Sequence, residues 1–118
     1  MITTLTAQSK IVIGAGCGFS GVVIGCFKEI TIGNNVRVGV NCLITDSDWQ
    51  LDDNRVSVPK PIKIENNVWI GTDVIILKGV SIGKNTIIGA GSVVTKDIPA
   101  NVIACGNPCK VIKDIEKK

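Results

Sequence analysis

The sequence repeats itself every six residues. An isoleucine or valine returns at this spacing without a break at Ile64, Ile70, Ile76, Ile82, Ile88 and Val94. An earlier run keeps the same spacing at Ile32, Val38 and Ile44. A short fixed period with one branched apolar residue per repeat is typical of solenoids, in which each turn stacks on the next. The chain is therefore expected to bury these residues in a stack of coils.

The other positions of each hexad predict its backbone shape. If the Ile or Val is position one, position four holds residue types that tolerate a positive φ. They are Asn35, Asn41, Asn67, Asp73, Gly79, Asn85, Gly91 and Asp97. Position five is small or β-branched, as in Val36, Cys42 and Val68, and is expected to face the interior. Each hexad is thus predicted to be a short strand followed by a sharp bend, and three hexads per turn make an all-β triangular prism.

Breaks in the phase predict the limits of the coils. One residue is inserted between Phe19 and Ile30, because the repeats on either side are out of phase by one. The expected organisation is a single domain with an irregular start at 1–10, N-terminal coils at 11–45, a protruding loop at 46–63, regular coils at 64–99 and a tail at 100–118.

The tail is predicted to contain a short C-terminal helix. Val111, Ile112 and Ile115 have the spacing of one apolar helix face. The helix is expected to begin near Pro108.

The loop at 46–63 is a candidate functional segment. It contains four aspartates, one arginine and Trp49, and it interrupts an otherwise strict repeat. Loops that extend from rigid scaffolds often carry function, and long loops in compact domains are uncommon without one. The alternative is a solvated excursion that ends at Pro59 and Pro61.

Composition narrows the class of protein. Of the 118 residues, 45% are hydrophobic but only 3% are aromatic, so an aliphatic core is expected. The net charge of +3 is mild, which fits a small anionic ligand better than nucleic acid. Five cysteines without a Cys-x-x-Cys pair favour free thiols in a reducing compartment. With no signal peptide or long apolar stretch in the sequence, we expect a cytoplasmic protein without a membrane span.

Several segments resemble the hexapeptide-repeat acyltransferases. They are Val-Trp-Ile-Gly-Thr at 68–72, Ile-Gly-Ala-Gly-Ser-Val-Val-Thr-Lys-Asp-Ile-Pro at 88–99 and Gly-Asn-Pro-Cys-Lys-Val-Ile at 106–112. Within that family the sequence looks like galactoside/maltose, virginiamycin-type and capsule or colanic-acid sugar O-acetyltransferases. The resemblance implies a left-handed parallel β-helix, acetyl-CoA as donor, and a homotrimer with active sites in the clefts between neighbouring subunits.

The resemblance also implies which residues contact coenzyme A. The matching residues are Trp69, Thr72, Ala90, Thr95, Lys96, Lys110 and Lys113. The first three resemble positions along the pantetheine arm, the next two resemble residues near the adenosine, and the last two resemble basic residues near the phosphates. Small residues at corners and solvated lysines are the alternative interpretation. Trp69 is the sharper candidate, because it occupies the outward-facing sixth position of its hexad.

The family's general base is a histidine in the loop, within a pattern such as Asp-x-Asp-[Trp/Phe]-His. This chain has Asp46-Ser-Asp-Trp-Gln50 there and contains no histidine. The resemblance therefore implies a catalytic position at Gln50 and acceptor contacts from Asp46, Asp48 and Trp49. Glutamine cannot take the hydroxyl proton, and the loss of a general base costs about 10² to 10⁴-fold in rate.

Three explanations for Gln50 stay open. The protein is a degenerate member that still binds coenzyme A, or Asp48 or Asp52 acts as the base with a pKa raised by burial, or Gln50 is an engineered or sequencing change. Relatives usually carry an extra segment before the prism, whereas this chain starts almost on it, which favours the first explanation.

Two functions follow from these explanations. One is an O-acetyltransferase that acts on a hydroxyl of a sugar or related acceptor. The other is a non-catalytic β-helix that acts as a coenzyme A-binding or structural module. No metal is expected, because the γ-class carbonic anhydrases of this fold need three histidines for zinc and this chain has none.

Overall fold

The structure, a computed structural model, describes residues 2–4, 9–26, 28–46 and 60–115. The strands are β1 (Ile2–Thr4), β2 (Lys10–Ile13), β3 (Gly18–Phe19), β4 (Val23–Cys26), β5 (Glu29–Ile32), β6 (Arg37–Val38), β7 (Leu43–Thr45), β8 (Ile62–Ile64), β9 (Trp69–Ile70), β10 (Ile75–Ile76), β11 (Ser81–Ile82), β12 (Ile87–Ile88), β13 (Val93–Val94), β14 (Val102–Cys105) and β15 (Lys110–Asp114). Within these described ranges there is no helix.

The strands form three sheets that face one another as a prism. Sheet A has the order β1-β4-β7-β10-β13, sheet B the order β11-β8-β5-β2, and sheet C the order β15-β14-β12-β9-β6-β3. All neighbours are parallel except β14 and β15. The chain visits A, B and C in turn, so the predicted parallel β-helix with three faces is confirmed. We name the bends between sheets the C–A, A–B and B–C corners.

The core is a set of stacked columns of aliphatic side chains. In sheet A, Ile24, Ile44, Ile76 and Val94 are register partners on successive strands, and each is 0% exposed. Position five also faces inward, because Val36, Cys42, Val68, Val74, Val80, Thr86 and Ser92 are all buried. Both predictions about the interior are confirmed, and like side chains stack in it from one coil to the next.

The corners are made by left-handed residues, as predicted, with one exception. Positive φ angles occur at Asn35, Asn41, Asn67, Asp73, Gly79, Asn85 and Gly91. Asp97 was also predicted to have one, and this prediction is wrong. Its carboxylate instead accepts a hydrogen bond of 2.8 Å from the backbone N–H of Ser81.

The reason is a shortened bend in the last complete coil. Ile98 pairs with Ile82, only sixteen residues away, instead of continuing the eighteen-residue period. Ile98 therefore takes position one and not position five, and Ala104 follows in the same phase opposite Ile88. The left-handed residue of this hexad is Asn101, whose φ is 61°.

The N-terminal coil departs from the six-residue spacing at two places, in opposite directions. Phe19 pairs with Val38, but Ile24 pairs with Ile44 and Ile32 with Ile64. Relative to the six-residue spacing, the chain thus has one residue too few between Phe19 and Ile24 and two too many between Ile24 and Ile32. The net result is the predicted single insertion. Before this coil, β1 extends sheet A by pairing with β4, so the start of the chain contributes a strand where we expected an irregular segment.

One predicted boundary and one predicted element change in the second half of the chain. The loop expected at 46–63 ends earlier, because Ile62 is buried in β8 and pairs with Ile30. The predicted C-terminal helix is wrong, because residues 110–114 form β15. A helix of so few residues is marginal in isolation, whereas the open edge of β14 offers a full set of backbone partners.

Candidate functional site

The outer face of sheet C carries an ordered column of large side chains. Register places Arg37, Trp69, Ile87, Ile103 and Lys113 on neighbouring strands in that order. Trp69 is 59% exposed, so its predicted outward orientation is confirmed. At the C-terminal end, Ile87, Ile103 and Lys113 line a groove of about 340 Å³. The face therefore presents an aromatic ring and an ammonium group separated by two aliphatic side chains.

The C–A corner beside this face carries small residues at Gly71, Thr72, Ala90 and Gly91. Thr72 and Ala90 are exposed neighbours on successive coils, and the N–H of Gly91 donates to the carbonyl oxygen of Thr72 at 2.8 Å. A Cβ atom at Gly71 would lie 2.8 Å from the backbone nitrogen of Ala90. Glycine is therefore needed there for the coils to stack. The result is a narrow shelf of backbone and small side chains along one edge of the prism.

Lys110 closes this shelf at its C-terminal end. It is the register partner of Cys105 in the β14–β15 pair, and the Cβ atom of Cys105 lies directly above Gly89 of the preceding coil. Trp69, Thr72, Ala90 and Lys110, four of the seven predicted coenzyme A contacts, thus lie along the C–A corner or beside it. Lys113 shares the face of sheet C with Trp69.

The remaining two predicted contacts lie elsewhere on the chain. Thr95 and Lys96 follow β13 and are exposed at the A–B corner. Sheet A separates this corner from the C–A corner, so a single chain does not bring these two residues to the shelf.

Asp46 occupies the root of the loop and has a different role from the one predicted. Its side chain is 0% exposed, and its Oδ2 atom accepts hydrogen bonds from the N–H groups of Lys28 at 2.7 Å and Glu29 at 2.8 Å. This carboxylate anchors the backbone and is not free to contact an acceptor, so we withdraw it as a substrate contact. Asp48, Trp49, Gln50 and Asp52 lie outside the described residues.

Three buried thiols belong to the scaffold, those of Cys26, Cys42 and Cys109. Burial raises the pKa of Cys26, and the nearby negative charge of Asp46 raises it further. Burial likewise raises the pKa of Cys42 and of Cys109. All five cysteines are free, as predicted. Protonated, buried thiols are poor nucleophiles, so these three do not form a catalytic centre.

The described part of the chain lacks two kinds of feature. No three His, Cys, Asp or Glu side chains there are grouped as ligands of a metal ion would be. No helix there has the length and apolar character needed to cross a membrane.

Sequence reasoning did not identify Arg37 as part of this surface. Arg37 occupies position six of its hexad, the same position as Trp69, and this shared position was the available signal. The loop at 46–63 hides the relationship, because it separates two register partners by thirty-two residues.

Comparison with known proteins agrees with this geometry. Residues 61–96 match the family model described as bacterial transferase hexapeptide (six repeats). The galactoside O-acetyltransferase of Escherichia coli is 47% identical over 93 residues, which cover 75% of this chain and 46% of that protein. The chain thus spans about half the length of the curated relatives it matches.

Two solved structures share the fold over nearly the whole chain. A hexapeptide-repeat containing acetyltransferase of Vibrio cholerae, solved in complex with acetyl coenzyme A, has a TM-score of 0.82 and 31% identity, covering 91% of this chain and 61% of that one. A maltose O-acetyltransferase of Clostridium difficile has a TM-score of 0.77 and 44% identity, covering 91% and 60%. Together with the six-residue repeat and the parallel β-helix, these similarities show that the chain belongs to the hexapeptide-repeat acyltransferase family.

Proposed function

We propose that the protein binds acetyl-CoA and transfers the acetyl group to a hydroxyl of a sugar or related acceptor. The observation that carries the proposal is the alignment of exposed Trp69 with the Thr72–Ala90 shelf and with Lys110 and Lys113 at its C-terminal end. An extended arm of methylene and amide groups fits a narrow shelf of backbone and small side chains. Lysine ammonium groups at one end of that shelf meet phosphates as point charges.

The donor is proposed to lie along the prism with its nucleotide toward Lys110 and Lys113. Its pantetheine arm then runs past Ala90 and Thr72, and its thioester lies near Trp69. Thr95 and Lys96 are proposed to contact the adenosine from a neighbouring subunit of a homotrimer. Their separation from the shelf by sheet A within one chain supports this arrangement, as does the apolar side chain of Val40, which is 45% exposed.

The proposed reaction replaces a carbon–sulfur bond by a carbon–oxygen bond and moves one proton from the acceptor oxygen to the departing sulfur. The acceptor hydroxyl oxygen attacks the thioester carbon, the carbon–sulfur bond breaks, and coenzyme A leaves as the thiol after taking up a proton. The proton lost by the hydroxyl needs a base in the loop. Gln50 can orient the hydroxyl but cannot accept its proton, so we propose Asp48 or Asp52 for that step, with a correspondingly slow rate.

An acetyl-transfer assay on a panel of sugars tests the activity. Wild-type protein is compared with Gln50→His, which supplies the missing base, and with Lys84→His, which places a histidine at the exposed B–C corner as a control. We expect Gln50→His to be about 10² to 10⁴-fold faster than wild type and Lys84→His to match wild type. No gain from Gln50→His would contradict the proposed role of this position.

A second candidate function is a non-catalytic coenzyme A-binding or structural module. The lack of any histidine in the 118 residues favours it. This function predicts coenzyme A binding, or none, without acetyl transfer by the wild-type protein to any acceptor. The same assay therefore separates the two functions, since slow but measurable turnover occurs only in the first.

The proposed assembly has its own test. Light scattering is expected to give the mass of a trimer, about three times the 12.4 kDa of one chain. A monomeric mass would contradict a site completed by a neighbouring subunit. We also place the protein in the cytoplasm, a proposal that the five free cysteines support.

A further inference from the structure

A cleft beside Trp69 has features that the proposed donor site does not use. It lies on sheet C next to the C–A corner, has a volume of about 210 Å³, and is lined by Gly18, Ser20, Arg37, Val38, Gly39 and Trp69. Gly18 pairs with Arg37, and Arg37 pairs with Trp69, so the cleft crosses three neighbouring strands. It combines one cation, one aromatic face and one hydroxyl.

The Arg37 side chain has room to face a ligand. A Cβ atom at Gly18 would lie 3.5 Å from an Arg37 Nη atom, so the guanidinium lies over a strand that has no side chain at this position. No acidic side chain among the described residues lines the cleft. By contrast, the lysines of the cleft on sheet B share it with Glu65. Arg37 therefore points to a ligand that brings its own negative charge.

The geometry of a guanidinium narrows the chemistry of that ligand. Its planar fork binds a carboxylate through two parallel hydrogen bonds. Trp69 offers a broad face for the apolar side of a ring. The volume of about 210 Å³ is below the roughly 300–1,000 Å³ of pockets for drug-sized ligands, so the cleft fits one sugar ring and its charged substituent. A single acidic sugar residue fits the guanidinium fork, the face of Trp69 and the volume of the cleft.

The position of the cleft relates it to the proposed reaction. Lys113 lies three strands from Trp69 on the C-terminal side, about 14 Å at the usual strand spacing. Arg37 lies one strand from Trp69 on the opposite side, about 5 Å away. A donor that runs from Lys113 to Trp69 therefore ends its thioester arm at the edge of the Arg37 cleft. An acceptor in this cleft is next to the acetyl group.

We infer that this cleft binds an acidic sugar as the acceptor, with Arg37 on its carboxylate and Trp69 against its ring. The role as acceptor rests on the proposed function, whereas the binding of an acidic sugar does not. Ser20 also lines the cleft and supplies a hydroxyl for a ring oxygen or hydroxyl of the same ligand.

Titration with three sugars tests the inference. Glucuronate, glucose and glucose 6-phosphate are titrated into the protein, with and without coenzyme A, and binding is followed by calorimetry. Glucuronate is expected to bind about tenfold to hundredfold more tightly than glucose, the range for a hydrogen bond to a charged group. Equal binding of glucuronate and glucose overturns the inference, and tighter binding of glucose 6-phosphate overturns the assignment of a carboxylate.

Variants locate the binding. Arg37→Leu is expected to reduce the affinity for glucuronate to that for glucose and to leave the affinity for coenzyme A unchanged. The control Lys63→Leu removes an exposed cation at the same hexad position on sheet B and is expected to bind glucuronate as the wild type does. Equal losses of affinity for glucuronate in both variants overturn the assignment of the site to the Arg37 cleft.

The outcomes also separate this inference from the proposed function. Binding of coenzyme A without a preference for glucuronate overturns only the inference. A preference for glucuronate that depends on Arg37, without any binding of coenzyme A, supports the acidic-sugar site and overturns the donor site.

Discussion

The Oδ2 atom of Asp46 accepts a 2.7 Å hydrogen bond from the backbone N–H of Lys28, one coil away. The N–H of Glu29 donates to the same oxygen at 2.8 Å, so a single buried carboxylate holds the A–B bend of the preceding coil. The backbone carbonyl of Asp46 also accepts a hydrogen bond of 3.0 Å from the N–H of Lys60, which closes the base of the loop. Asp46 therefore joins the coil to both ends of the loop.

Replacement of this carboxylate is expected to destabilise the protein. Asp46→Ala leaves two backbone N–H groups without their charged acceptor and should lower the free energy of unfolding by about 2–4 kcal/mol. Urea unfolding at one fixed protomer concentration measures it. Asp97→Ala is the control, because it removes one exposed hydrogen bond to Ser81 and should cost about 1 kcal/mol or less. Equal losses would contradict the anchoring role of Asp46.

The shortened last coil leaves no room for a side chain at Gly83. A Cβ atom there would lie 2.6 Å from the Cα atom of Ala100, a backbone atom that cannot rotate away. Gly83→Ala should therefore cost about 3 kcal/mol or more, at the upper end for overpacked sites. Gly18→Ala, whose Cβ atom would meet only the flexible end of Arg37 at 3.5 Å, is expected to be near neutral in the same unfolding experiment. A neutral Gly83→Ala would show that the two coils are not in close contact.

The left-handed backbone at Asn41 predicts which substitution at this corner lowers the free energy of unfolding more. Its φ of 58° suits asparagine and glycine but crowds a β-branched side chain. Asn41→Val is expected to lower the free energy of unfolding by about 1–3 kcal/mol, whereas Asn41→Gly changes it by less than about 1 kcal/mol. Thermal unfolding followed by circular dichroism ranks the two. The reverse order would be incompatible with a left-handed bend at this corner.

Buried thiols predict a loss of stability at alkaline pH. Burial raises the pKa of Cys26, Cys42 and Cys109 in the folded protein. Below the ordinary thiol pKa of 9.0, which the unfolded chain keeps, both states retain their thiol protons and these groups leave stability unchanged. As the pH rises above that value, the unfolded chain loses its thiol protons first. The free energy of unfolding therefore falls until the folded pKa values are passed.

Unfolding curves between pH 7 and 10 measure this effect. The wild type is compared with a variant in which Cys26, Cys42 and Cys109 are alanine, since the lysines titrate in both proteins. The variant is expected to lose less stability over this range, even if the cavities lower its stability at pH 7. Parallel pH profiles would contradict the contribution of these thiols.

Much of the fold was predictable because the hexad encodes its own geometry. The first and fifth positions face inward and the fourth turns the chain, as at Ile70, Val74 and Asp73. The phase of the six-residue repeat is counted along the sequence, so it no longer predicts the corner residue where a bend has lost or gained residues. The missing two residues before Ile98 moved the bend from Asp97 to Asn101, and only the pairing with Ile82 reveals this.

The conformation of the tail and the layout of the site depend on contacts between residues far apart in the sequence, and the six-residue period does not predict these contacts. Val111 and Ile112 lie four and three residues before Ile115, which is helical spacing, yet Lys110–Asp114 pairs with the open edge of β14 as a strand. The orientation of Trp69 followed from its hexad position. The burial of Asp46 did not, because it comes from hydrogen bonds to residues of the preceding coil. Arg37 was missed because its partner lies beyond the loop.

Titration of coenzyme A by calorimetry is the most direct test of the central proposal, a donor site along the C–A corner. We expect saturable binding with a Kd below 1 mM, which corresponds to a binding free energy of more than about 4 kcal/mol in magnitude. Thr72→Trp, which fills the shelf, should abolish binding, whereas Lys84→Glu at the B–C corner should leave it within about twofold. No binding at millimolar coenzyme A, or equal binding by Thr72→Trp and wild type, would contradict the donor site.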